Sequence, residues 1–443
     1  MVNIIPTIGP SCCDKKNLEF LIKNSRILRF NGSHNTLEWH KKHMILAKKI
    51  NKHIVILFDI PGIKMRTLNK SNIEIEEGKR YFFYDFNKKK INGIPVSNYF
   101  LKKNEKFTKI SLSDGKYLFN NIKIANGYFS GVSQESFILE SKKGVNIPNY
   151  KYDDLIQTRL YEDFIKKIKY LPFDAIGLSY IQSIETLQTL KKKLKNKIIV
   201  SKIENSQGLK NTEEICQNSN GIMIDRGDLV AEIGQSNLFK SINKITNIAK
   251  KNGNFLIMAT ENLESLIISN QPTKSEIVSL SHSLFIGMDS IMLSNETAIN
   301  KNWKRTFNWL KKFIIDSKNK KATKKDLGFF DSVFDFNGIP TVIFSKYGYG
   351  VKEFKKNFNT FIYCITDQIL TQNELVFFSN IKTSLENYKF SKKNYDYIKK
   401  STIKVYKKYN LNSKYIRVIW IAFPRSLSRL NSITLFKRDD LFN

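Results

Sequence analysis

Residues 198–229 read IIVSKIENSQGLKNTEEICQNSNGIMIDRGDL, and this stretch decides the fold. It holds two short apolar runs, 198–200 and 221–224, each followed at once by charged residues, with a polar, helix-like segment between them. That is the pattern of a strand–helix–strand unit. In parallel α/β sheets and barrels, reactive groups gather at the C-terminal ends of strands. Lys202, Glu204, Arg226 and Asp228 are therefore expected to project into one pocket. Two carboxylates, a lysine and an arginine suit a magnesium ion and a phosphorylated anion, because magnesium takes a few carboxylate oxygens and leaves the rest of its octahedron to substrate and water. Taken alone, Lys-x-Glu and Arg-Gly-Asp also fit a solvated strand end and a turn, so the rest of the chain must decide.

Outward from this stretch, apolar runs recur at helix-plus-strand intervals. Runs at 4–5, 27–30 and 54–58 lead into PTIGPS, NGSH and DIPGIKMR, with amphipathic segments such as 36–49 between them. Further runs lie at 175–178, 198–200, 221–224, 256–259 and 290–293, the last four leading into SKIEN, DRGD, TEN and SNET. Between the two groups, residues 72–146 switch to short alternating runs with Gly and Asn turns, such as IEIEEGKRYFFYDF, which reads as an all-β insertion. Three strands before it and five after make eight. The expected fold is α/β: a (β/α)8 TIM barrel (1–70 and 147–320) with an inserted small β-barrel lid domain (71–146) and a C-terminal α/β domain (321–443). The lysine-rich segment 318–325 reads as a linker, and apolar runs at 341–344, 360–365 and 418–423 as strands of the last domain.

Composition narrows the function classes. Hydrophobic content of 41% and charged content of 26% fit a folded soluble chain, and no apolar run approaches membrane-spanning length. The opening MVNIIPTIGPSCC has neither a basic segment with an apolar core nor an Arg/Ser-rich presequence, so a cytoplasmic location and no membrane are expected. Cys12, Cys13, Cys216 and Cys364 show no Cys-x-x-Cys spacing, and the histidines show no HExxH pattern. The net charge of +33 comes from 62 lysines and only 11 arginines. They are spread over every segment alongside many Asn, Ile, Phe and Tyr, as codon drift toward A and T produces. Nucleic acid is therefore not an expected partner.

The segments TIGPSC, RFNGSH, DIPGIKMR, SKKGVNIP, SKIEN, GIMIDRGDL, ATENLES, QPTKSE and IMLSNETA occur in the order and at the spacing of the pyruvate kinase family, and the chain resembles that family over nearly its whole length. The resemblance implies a barrel, a mobile lid and a C-terminal domain that binds an effector in many members. It implies phosphoryl transfer from phosphoenolpyruvate to ADP with Mg2+ or Mn2+, and a homotetramer. Carried over residue by residue, Lys202 resembles the catalytic lysine, and Glu204 and Asp228 resemble the magnesium ligands. Arg29, Gly227, Asp228 and Thr260 match substrate contacts, while Asn31, His34, Arg66 and Lys143 match nucleotide-side residues. A phosphoryl group in flight spreads negative charge over its oxygens, so fixed cations carry the catalysis.

Asn31, Ser33 and Asp59 match residues that hold potassium in many members. Ile60 and Lys64, however, replace a usual threonine and glutamate, so Lys64 is expected to substitute for the ion and K+ to be dispensable. Asp225 stands where a small residue is usual, adding a negative charge beside Arg226. Two other readings stay open at this point: a magnesium-dependent pyruvate aldolase or lyase, and a drifted pseudoenzyme kept for binding.

Overall fold

The computed structural model describes residues 2–442 apart from 88–91, 103–104, 114, 318–338, 359, 388–393 and 422–429. Eight parallel strands form its centre: β1 (Asn3–Pro6), β2 (Ile27–Asn31), β3 (Val55–Ile60), β4 (Ala175–Leu178), β5 (Ile198–Ile203), β6 (Gly221–Asp225), β7 (Phe255–Ala259) and β8 (Ser290–Leu293). They pair in the order β2-β3-β4-β5-β6-β7-β8-β1. A parallel bridge between Thr7 and Arg29 draws the two outer strands together, with the Ile8 amide donating to the Arg29 carbonyl at 2.8 Å. All eight strands fall on the apolar runs read from the sequence.

Alternation along the strands sorts the side chains. Ile56, Phe58, Ile199, Ile203, Ile222 and Ile224 face outward and pack with the surrounding helices. One such helix, Leu37–Ile50, starts where the Thr36 hydroxyl accepts the Trp39 amide, and it buries Met44 and Ala47. Val55, Leu57, Ile198, Val200, Met223 and Phe255 belong to the inner cluster. Phe377 from the C-terminal part stacks on Phe255 with centroids 4.4 Å apart, closing the N-terminal end of the barrel. Losing such a ring, as in Phe255→Ala, costs about 3–5 kcal/mol. At the other end the inner phase continues from Ile27 to Arg29, Leu57 to Asp59, Val200 to Lys202 and Met223 to Asp225, so the apolar lumen gives way to charge.

The lid hangs between β3 and β4. Its seven-stranded sheet begins with Met65–Arg66 and ends with Ile94–Val96, and a bridge from Thr67 to Val96 curls these edges together into a small barrel. Phe83 and Phe129 stack at its centre, 4.7 Å apart. The C-terminal domain carries a five-stranded sheet, parallel except for Leu430–Lys437. The expected linker at 318–325 lies outside the described residues. No helix among the described residues is long and apolar enough to cross a membrane.

Candidate active site

A cleft of about 490 Å³ opens at the C-terminal ends of the strands, lined by residues that include Arg29, Asn31, Ser33, His34, Asp59, Lys64, Arg66, Lys202, Glu204, Asp228 and Thr260. At its floor Lys202 Nζ lies 2.7 Å from Glu204 Oε1, 3.3 Å from Asp59 Oδ2 and 3.5 Å from Asp225 Oδ2. Arg29 holds the same Asp59 oxygen through Nη2 at 2.7 Å and Nε at 3.1 Å. Gly177 on β4 makes room for this, since a Cβ there would lie 2.8 Å from Asp59 Oδ1.

Burial works against each of these charges, and their neighbours decide the outcome. Burial alone would lower the pKa of Lys202, but Asp59, Glu204 and Asp225 outweigh it and hold the ammonium well above its ordinary value. Burial would raise Asp59, but Lys202 and Arg29 keep it below the usual carboxylate range. Glu204 goes the other way. Burial, with repulsion from Asp225 and Asp228, exceeds the pull of Lys202 and pushes its carboxyl up to about 8.

Asp228 sits in the first turn of the helix Arg226–Ile233 and is ion-paired to Lys64. That contact outweighs burial and holds Asp228 well below its ordinary value. Lys64 is 3% exposed and reaches the site beneath the lid strand Gly144–Asn146. A Cβ at Gly144 would collide with its stem. Tyr180 donates its hydroxyl to Asp228 Oδ1 at 3.0 Å and its amide to Glu204 Oε2 at 2.6 Å, fixing both carboxylates.

Glu204, Asp225 and Asp228 offer carboxylate oxygens that lie within 4.8 Å of one another. Three hard oxygen donors suit Mg2+ or Mn2+. In this structure Lys202 faces Glu204 and Asp225, and Lys64 pairs with Asp228.

The remaining sequence-predicted residues line the seam and the lid. Asn31 Oδ1 accepts the Ser33 amide at 3.1 Å, shaping the turn that carries His34. Burial, then Arg66 and Arg29, lower the His34 pKa, so its imidazole is neutral at pH 7. Lys143, on the lid, pairs with Glu140 at 2.7 Å and is half-buried. It does not line this cleft. Gly227 lines the neighbouring space between lid and barrel together with Thr260. Asp59, matched to a potassium ligand, is here held by Arg29 and Lys202, while Lys64 meets Asp228.

One expectation needs correction. Arg226 does not project into the cleft. Its buried guanidinium bonds the Thr260 carbonyl, Asn262 Oδ1 at 3.0 Å and Ser279, because residue 226 is out of phase with the inward-facing Asp225. Tyr180, Ser179 and Asp225 were not singled out as site residues. The first two directly follow β4, the position from which a barrel strand delivers side chains to the pocket.

A nearly closed parallel barrel with a buried lysine–carboxylate floor at its strand ends, under an inserted β domain, defines an α/β-barrel protein with a three-carboxylate cluster in its cleft. The family profile described as pyruvate kinase, barrel domain, matches residues 1–305, and the chain belongs to the pyruvate kinase family. It is 33% identical over 318 residues to a pyruvate kinase of Thermococcus litoralis, covering 67% of this chain and 66% of that one. It is 31% identical over 307 residues to one of Methanocaldococcus jannaschii, covering 67% and 65%. The matches thus span just under two thirds of these relatives' length. A crystal structure of pyruvate kinase from Cryptosporidium parvum superposes with a TM-score of 0.79 at 22% identity, covering 98% of this chain and 96% of that one, a likeness of fold.

Proposed function

We propose that this chain transfers the phosphoryl group of phosphoenolpyruvate to ADP, giving pyruvate and ATP. The observation that carries the reading is the Lys202 ammonium, buried at the strand ends and facing Asp59, Glu204 and Asp225. A cation so held is preorganised to meet charge that develops on a transferring group. Glu204 and Asp228 would hold Mg2+ or Mn2+, which when bound supplies positive charge beside the substrate's carboxylate and phosphoryl oxygens. The Lys202 ammonium would donate to the phosphoryl oxygens of the bound substrate. Arg29 adds charge from the barrel seam.

By the resemblance, Thr260 and Gly227 are assigned to the carboxylate end of the substrate. His34, Asn31, Arg66 and Lys143 are assigned to the nucleotide side, and closure of the lid would exclude water that otherwise takes the phosphoryl group. The replacements at Ile60 and Lys64 are the ground for a reaction that does not require K+, although the Lys64 ammonium pairs with Asp228 and the side chain of Asp59 is held by Arg29 and Lys202. Exposed Phe239, Val278 and Phe285, on the helices Gln235–Asn252 and Lys274–Phe285, support self-association, with a homotetramer as the form expected. A cytoplasmic location fits this chemistry.

The test is direct. Purified protein given phosphoenolpyruvate, ADP and magnesium should form pyruvate and ATP in equal amounts. Saturable phosphoenolpyruvate binding without turnover would leave only a binding protein of this fold, and turnover of a carbon–carbon bond instead would make it a lyase.

A further inference from the structure

Asp225 precedes the helix Arg226–Ile233, the position from which an aspartate ordinarily caps a helix by accepting one of its first amides. Here it makes no capping bond. Its side chain turns into the cleft instead, where Oδ1 accepts the Thr260 hydroxyl at 2.9 Å and Oδ2 lies 3.5 Å from Lys202 Nζ. Thr260 Oγ1 in turn accepts the Gly227 amide at 3.2 Å, and Arg226 donates to the Thr260 carbonyl. Three consecutive residues thus grip one threonine and hold it at φ 58°, a left-handed conformation that a β-branched residue rarely adopts.

A threonine hydroxyl has one proton to give. Thr260 Oγ1 also lies 2.8 Å from the Ala259 carbonyl, but that acceptor is neutral, and a bond to a carboxylate is roughly twice as strong. With its proton committed to Asp225, Thr260 turns a lone pair toward the cleft. The side of the cleft under β6 and β7 then presents oxygen acceptors: Thr260 Oγ1 and the carboxylates of Asp225 and Asp228. An anion cannot bond to acceptors directly, whereas a divalent cation and its waters can.

We propose that Asp225 is a specificity-determining residue that turns Thr260 from donor to acceptor, so that a carboxylate-bearing phosphate ester reaches this side of the cleft only by way of the cation. The inference rests on the phosphoryl-transfer reading above. It adds what makes substrate binding depend on the metal in this chain.

Calorimetry of phosphoenolpyruvate binding without ADP, with and without Mn2+, tests it. Wild-type protein should bind at least tenfold more weakly without the ion. Asp225→Ala should recover cation-free binding several-fold, because the threonine proton is released to the substrate. The loss caused by Thr260→Val in cation-free binding should be at least fivefold greater in the Asp225→Ala background than in wild type. Asp225→Asn removes the charge but keeps an oxygen that accepts the threonine proton. It should therefore leave the loss caused by Thr260→Val as in wild type, and it serves as the test variant should Asp225→Ala not fold. Equal losses from Thr260→Val in the wild-type and Asp225→Ala backgrounds, or a greater loss in Asp225→Asn than in wild type, overturn the inference. Absence of binding by wild type even with Mn2+ overturns instead the phosphoryl-transfer reading beneath it.

Discussion

The two sides of the cleft follow different electrostatic plans. On the floor, Lys202 and Arg29 are about 95% buried and each touches at least one carboxylate of fixed position. On the lid side, Lys143 pairs with its near neighbour Glu140, and Arg66 donates to the Lys142 carbonyl at 3.2 Å at an exposed site. Buried, mutually held charges cannot relax when one partner is lost, whereas exposed ones are screened by water. On the proposed phosphoryl-transfer reading, the floor would stabilise the transition state and the lid side would collect the nucleotide.

The sharpest way to break this contrast is Lys202→Met. Turnover should fall by on the order of 10³-fold while phosphoenolpyruvate binding in the presence of Mg2+ stays close to wild type, the signature of charge needed only in the transition state. The cation-free variant should also lose roughly 3–5 kcal/mol of stability, because buried carboxylates lose their partner. Near-normal kcat would remove Lys202 from the assignment.

Glu204→Ala and Asp228→Ala come next. Each should weaken Mn2+ binding by at least about tenfold, read by calorimetry as well as by the metal dependence of turnover. The same measurement has a pH dependence. With its carboxyl pushed up to about 8, Glu204 carries a proton at pH 7 in the cation-free protein, and the metal must displace it. Affinity should therefore rise toward pH 8 and level off above it, with a smaller slope in Glu204→Gln. The sign for stability is opposite: protonated Glu204 favours the cation-free fold at low pH, and that contribution is lost as pH rises through about 8. A flat Mn2+ affinity from pH 6.5 to 8.5 would contradict the buried, repelled carboxyl.

A smaller effect concerns Lys64. Turnover in potassium-free buffer of constant ionic strength should equal that in potassium. Lys64→Glu should lose activity that potassium partly restores, since it replaces the partner of Asp228 with a like charge. Tenfold stimulation of wild type by potassium over tetramethylammonium would end the built-in-cation reading. The smallest change is expected from Lys143→Ala: a few-fold rise in the ADP KM that fades at high salt, with unchanged thermal stability. A large loss of kcat would mean that the lid takes part in the chemistry.

Much of this was legible along the chain. Apolar runs ending in charge marked the strands, and SKIEN and DRGDL delivered Lys202, Glu204 and Asp228 to one place. The alternation that puts Met223 in the lumen also puts Asp225 there and sends Arg226 away. Reading RGD as a unit obscured that phase. Tyr180 was hidden for another reason: nothing in GLSYIQS sets its tyrosine apart from the other 18 in the chain.

The sequence by itself determined the strand count and the types of charge at the strand ends, because an apolar run closed by charged residues is a local pattern that survives without any knowledge of neighbours. Only the tertiary structure decided which charges meet. Lys64 finds Asp228 across 164 positions, Lys202 finds Asp59 across 143, and Thr260 gives its proton to Asp225 across 35. Those pairings depend on the register of parallel strands, on the closure between Thr7 and Arg29 and on the missing side chains of Gly144 and Gly177, none of which leaves a periodic trace in the sequence.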